Sequence, residues 1–173
     1  MSHAFVMALF SDDASAAAAA RDLRALGVPR ERVSIVAKSH DVEGSLVDEA
    51  GASPGSEIEH SNAASRLGEL AAHVAAVVSV IIPGAGPIVA DGPLAAELGE
   101  AAGHAAGDIS RALERAGLDG PEARRWEKRI EGGAFLVGAH IDPRVDRPPV
   151  EAARDVLIRH GGSPAAVGSW KDA

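Results

Sequence analysis

The chain has no cysteine among its 173 residues, and that absence removes disulfides, thiolate nucleophiles and cysteine metal sites together. It fits a reducing interior, so a cytoplasmic location is expected. Positive charge is also scarce: 17 Lys and Arg stand against 25 Asp and Glu, giving a formal net charge of -8 and a pI near 5.3. Broad nucleic-acid binding needs a concentrated basic surface to neutralise phosphates, and is not expected here. Long apolar runs are missing as well. The longest, Val74 to Ile82, falls well short of the ~20 residues a spanning helix requires, so no integral membrane span is expected. The opening residues, through Leu9-Phe10, carry no basic region and run into Asp12 and Asp13, unlike a secretory signal.

What is present is a short unit that occurs twice. His3 to Phe10 reads as a buried strand, with Phe5, Val6, Leu9 and Phe10 in an apolar run stopped by Ser11-Asp12-Asp13. Those polar residues cap a helix whose apolar face is Ala16, Ala19, Ala20, Leu23 and Leu26, and Gly27 and Pro29 end it. Val33 to Ala37 is the next strand. The same order returns near the end of the chain: Ala134-Phe135-Leu136-Val137, then Ala152-Ala153-Arg154-Asp155-Val156, then Gly162-Ser163-Pro164. Pro148, Pro149 and Glu151 open this second helix, and Arg159-His160-Gly161 close it. Two βαβ halves, residues 1–40 and 134–173, therefore bracket the middle. The expected fold class is α+β: a ferredoxin-like sheet of split βαβ/βαβ type with right-handed crossovers, carrying an inserted long helical hairpin between the halves.

Between the halves, residues 41–64 form a polar connector, 65–117 an inserted hairpin and 118–133 an additional helix through Trp126 and Ile130. The hairpin turn is assigned to Pro83, Gly84, Gly86 and Pro87, because proline and glycine interrupt a helix there. Leu67, Leu70, Val74, Val77 and Ile81 line one arm, and Leu94, Leu98, Ala105, Ile109 and Leu113 the other. Beside these stripes run rows of small residues: Gly68, Ala72 and Ala76, and Gly99, Gly103 and Gly107. Glycine within a helix costs up to ~1 kcal/mol relative to alanine, so such rows imply a closely approaching helix. Pairing two hairpins into a four-helix bundle would cover both stripes, which points to a homodimer or larger homo-oligomer. The alternative is a hairpin folded onto its own sheet.

The order of βαβ, small-residue hairpin and second βαβ, with Ile82-Pro83-Gly84-Ala85-Gly86-Pro87 and Gly92-Pro93-Leu94-Ala95-Ala96, resembles the bacterial general stress protein 17M-like (YflT-like) domain. The resemblance extends from Ala4 to about Val167. It implies stress association and brings no catalytic residues. Charges at Asp91, Glu97, Glu100, His104 and Asp108 depart from the more apolar hairpin of that family, which weighs against a peripheral membrane-surface hairpin.

The sharpest chemical alternative is a metal-binding or metal-storage bundle. Glu69 and His73 on one arm, and Glu100 and His104 on the other, each have i, i+4 spacing and share a helix face. Carboxylate with imidazole suits iron, manganese or zinc. The spacing is Glu-x-x-x-His, however, not the Glu-x-x-His of ferritin-like sites, and the wheel places Glu97, Glu100, His104 and Asp108 opposite Leu98, where a solvated face belongs. Arg124, Arg125, Lys128 and Arg129 beside Trp126 read as the wet side of an amphipathic helix. His3 and His140 fall at equivalent strand regions of the two halves. The reading is a non-enzymatic protein without a cofactor, in which the hairpin mediates self-association.

Overall fold

The structure is a computed structural model that describes residues 3–38, 78–82, 86–102, 109–142 and 149–170. It is mixed α+β, and its six described strands form one antiparallel sheet. The first half supplies β1 (His3–Phe10), α1 (Asp13–Ala25) and β2 (Val33–Lys38). Then come β3 (Val78–Ile82), β4 (Gly86–Asp91), α2 (Pro93–Ala102), α3 (Ile109–Arg115) and α4 (Gly120–Glu131). The second half supplies β5 (Phe135–Ile141), α5 (Val150–Arg159) and β6 (Ala165–Trp170). The strand order is β3-β4-β2-β5-β1-β6.

Local chemistry explains where these elements begin. Asp12 caps α1 by accepting the Ser15 amide at 2.7 Å and the Ser15 hydroxyl at 3.0 Å. The amide bond is the main reason the Asp12 carboxyl lies below its usual range, with the hydroxyl bond second. Asp119 does the same for α4, accepting the Glu122 amide at 2.7 Å. β1 is apolar almost throughout because it is covered on both sides: Phe5, Met7 and Leu9 face one core, and Val6, Ala8 and Phe10 the other.

Each core belongs to a different pair of layers. On one face, α1 and α5 bury Ala16, Ala19, Ala20, Leu23, Val156 and Leu157 against Val6, Phe10, Val137 and Ala139. On the opposite face, α2, α3 and α4 bury Leu94, Leu98, Ile109, Leu113, Trp126 and Ile130 against Phe5, Met7, Leu9 and Leu136. The result is a helix, sheet, helix sandwich with the central strands dry on both sides.

The middle of the chain departs from the sequence expectation. Val78–Ile82, assigned to the first hairpin helix, is a strand, and its register partner is β4: Ile82 pairs with Gly86 and Val78 with Ala90. Gly86 and Pro87, assigned to the turn, therefore belong to β4. Residues 83–85, including Pro83 and Gly84, lie outside the described residues. The physical reason lies in the side chains: Val78, Val80, Ile81, Ile82, Ile88 and Val89 are β-branched and lose χ1 freedom in a helix, while a short apolar run fits either period. The proline is tolerated because β2 pairs only with Ile88 to Asp91 of β4, leaving Pro87 beyond the end of that ladder.

The second arm also differs, since α2 ends at Ala102 and α3 begins at Ile109. Its apolar stripe is spent within the chain: Leu94, Leu98, Ile109 and Leu113 are each 1% exposed and face the sheet. Ala95 is buried in the same core, and Gly99 lies within α2. Gly68, Ala72, Ala76, Gly103 and Gly107 lie outside the described residues.

Candidate functional site

The insert is fastened to the sheet at two places. At the first, β4 passes into α2 through Gly92, whose φ of +78° is open mainly to glycine. A β-carbon there would strike the Val33 carbonyl oxygen. Beside it, the buried Ser34 hydroxyl of β2 accepts the Leu94 amide at 3.1 Å, so a strand residue sixty positions away satisfies the start of the helix. At the second, the end of α3 lies on β6, where Gly117, with φ +102°, meets Gly168. A β-carbon on Gly168 would be driven into the Ala116 carbonyl oxygen. Two further contacts hold the insert helices to each other: Arg115 of α3 pairs with Glu97 of α2 at 2.6 Å, and the Ser110 amide donates to Glu127 of α4 at 3.3 Å.

Next to the second fastening, β1, β5 and the marginal β6 gather the polar and aromatic side chains with the most chemical potential. His3 and Phe5 of β1, His140 of β5 and Trp170 of β6 share the insert face, because His3 is opposite Trp170 and Phe5 is opposite both His140 and Gly168. The His3 and His140 rings lie 4.8 Å apart at 31°, and His140 and Trp170 5.3 Å apart at 38°. Phe5 sits 5.3 Å from Trp170 and closes the base of the group. Asp142, largely buried just past β5, places Oδ2 3.9 Å from His3 Nε2. That separation is an ion-pair distance when the ring is protonated and too long for a hydrogen bond. A carboxylate, two imidazoles and an indole therefore stand in this order along the insert face.

The sequence placed His3 and His140 at equivalent points of the two halves, and the structure brings their rings together. It gave no role to Phe5, Asp142 or Trp170 in this group. Their signal is the antiparallel register alone, which no local pattern states. The other predicted residues fare differently. Glu69, His73 and His104 lie outside the described residues, and Glu100 belongs to α2 with its side chain outside the description. Among the described residues, no group of three or more His, Asp or Glu is arranged to hold a metal ion. The four basic residues of α4 lie on an amphipathic helix that buries Ala123, Trp126 and Ile130, as expected.

A third polar contact ties the helices of the opposite face. His160, at the end of α5, bonds Asp22 of α1, with Nε2 and Oδ2 2.8 Å apart. This bond is the first reason the Asp22 carboxyl lies below its usual range, aided more weakly by the charges of His160, Arg159 and Arg21. Among the described residues, no helix is long and apolar enough to cross a membrane. Compared with known proteins, the chain matches no family model, no curated protein and no solved structure.

Proposed function

We propose that this chain is a non-enzymatic, stress-associated cytoplasmic protein that works through self-association. Its architecture reads as two ferredoxin-like split βαβ halves carrying an insert. The strand order supports the architectural part: β2-β5-β1-β6 interleaves the halves, since β5 separates β1 from β2 and β1 separates β5 from β6. The stress association comes from the resemblance to the general stress protein 17M-like domain.

One observation redirects the functional reading away from the hairpin. Over β1, β2 and β5 both faces of the sheet are already occupied by helices of the same chain, so the insert serves as the cover of the second face there. The stripe of Leu94, Leu98, Ile109 and Leu113 has no apolar surface left for a four-helix bundle. Association then falls to the sheet margins or the outer helix surfaces.

Native mass spectrometry of protein purified without chelator tests this reading. The expected result is a metal-free dimer or larger assembly. A metal-free monomer overturns self-association. A stoichiometric metal lost on mutating His73 and His104 would replace this reading with the metal-binding bundle.

A further inference from the structure

Within the reading of a self-associating protein, the margin formed by β6 has the features of an interface. Among the described residues β6 pairs with β1 and closes one side of the sheet. The direction of its remaining backbone groups follows from one pair of bonds: Leu9 donates its amide to the Pro164 carbonyl at 3.1 Å and accepts the Ser163 amide at 2.8 Å. Antiparallel alternation then turns His3, Phe5 and Met7 toward β6, and their partners Trp170, Gly168 and Ala166 toward β1. Ala165, Val167 and Ser169 therefore aim their N–H and C=O groups outward.

We infer that β6 is a homodimerisation edge, at which a second copy of this chain adds its own β6 antiparallel about a two-fold axis through Val167. The outward residues are symmetric about that point. Val167 meets the partner's Val167, and Ala165 meets the partner's Ser169, so three residue pairs exchange about six backbone hydrogen bonds.

The side chains fit the same occupant. The large apolar residues exposed among the described residues are Val167, at 49%, and Ile158, at 46%. Val167 is at the centre of β6, and Ile158 is on α5, which packs on β6. Sheet edges are usually guarded by charge or proline, yet Ala165–Trp170 reads Ala-Ala-Val-Gly-Ser-Trp. On a chain of net charge -8, an uncharged strand is where two copies approach with least repulsion. The two-fold axis also sets α5 antiparallel to its copy. Exposed Glu151 at the start of one helix then runs toward the partner's Arg159 at the end of the other.

The test compares wild type with Val167→Lys and Val167→Pro by native mass spectrometry, with circular dichroism to monitor folding. Lysine places like charges at the axis, and proline deletes an outward amide while leaving the bonds to β1 in place. The expected result is a dimer for wild type and folded monomers for both variants. A dimer that survives both substitutions overturns the edge while leaving self-association intact; a monomeric wild type overturns both. Val167→Cys decides the matter should the other variants unfold. It is the sole thiol of a cysteine-free chain, so a short bis-maleimide should give a covalent dimer, whereas Arg124→Cys on α4 should not. Failure of Val167→Cys to cross-link overturns the edge.

Discussion

The two faces of the sheet are covered by different means. The α1 and α5 face is roofed by the crossover helices of the two βαβ halves, and α1 approaches mainly through alanines, Ala16, Ala17, Ala19 and Ala20 beside Leu23, while α5 adds Ala153, Val156 and Leu157. The insert face is roofed by α2, α3 and α4, and filled by Leu94, Leu98, Ile109, Leu113, Trp126 and Ile130. A crossover helix is brought to its sheet by the strands on either side of it, so alanine suffices to let it lie close. The insert helices are also held between strands of the sheet, β4 and β5 on either side of β2, but as three helices in one long connection they fill their face with large side chains, each worth roughly 1.5–3 kcal/mol. The difference teaches that both roofs are anchored by the strands at their ends, and that one relies more on close approach and the other more on bulk.

Truncation of large groups should separate the two roofs most sharply. Trp126→Ala removes the largest fully buried side chain of the molecule and should cost ~3–5 kcal/mol in denaturant unfolding. On the opposite face, Ala20→Gly should cost only ~1 kcal/mol, mainly through helix propensity. Similar losses from the two substitutions would remove the distinction.

Next in size is the fastening of α3 onto β6. Gly168→Ala thrusts a β-carbon at the Ala116 carbonyl oxygen, and overpacking of this kind should cost ~1–3 kcal/mol. The obstacle is backbone and has no rotamer to move. An unchanged midpoint would mean that the insert is held less closely than its geometry indicates.

How much of this was legible beforehand differs by face as well. β1, α1, β2 and the second half announce themselves by local signals: Asp12 before an alanine-rich face, Gly27 after it, Pro149 ahead of α5. These signals act between residues close in sequence. For β3 and β4, the alternation-free run Val78 to Ile82 suits either period, and only pairing with β4, which in turn pairs with β2, makes it a strand. The stripe of Leu94, Leu98, Ile109 and Leu113 was correctly read as apolar, but a stripe does not say which surface it meets. The contact between His3 and His140 depends on the β1 and β5 register, across more than a hundred residues.

A smaller effect sharpens the account of how the insert is positioned. Ser34→Ala leaves the Leu94 amide without its hydroxyl acceptor, and loss of such a cap typically costs about 1 kcal/mol. Because Ser34 lies on β2 and its partner opens α2, hydrogen exchange should rise first in α2, while α1 keeps its protection. Equal loosening of both would show that the two roofs do not open separately.

The smallest expected effect belongs to the opposite roof, where Asp22 of α1 meets His160 of α5 on the surface. Folding lowers the Asp22 carboxyl below its ordinary value, chiefly through the hydrogen bond with His160. A carboxyl that binds protons less readily when folded contributes stability above its unfolded value, and loses that contribution as pH falls through its lower folded value. Asp22→Asn should therefore be slightly less stable than wild type at neutral pH, and the gap between their denaturation midpoints should close as pH falls below the ordinary aspartate range. Added salt should narrow the gap at neutral pH as well, since exposed charges are screened. A gap that stayed constant into acid would assign the difference to local helix effects in α1 instead of the bond to His160.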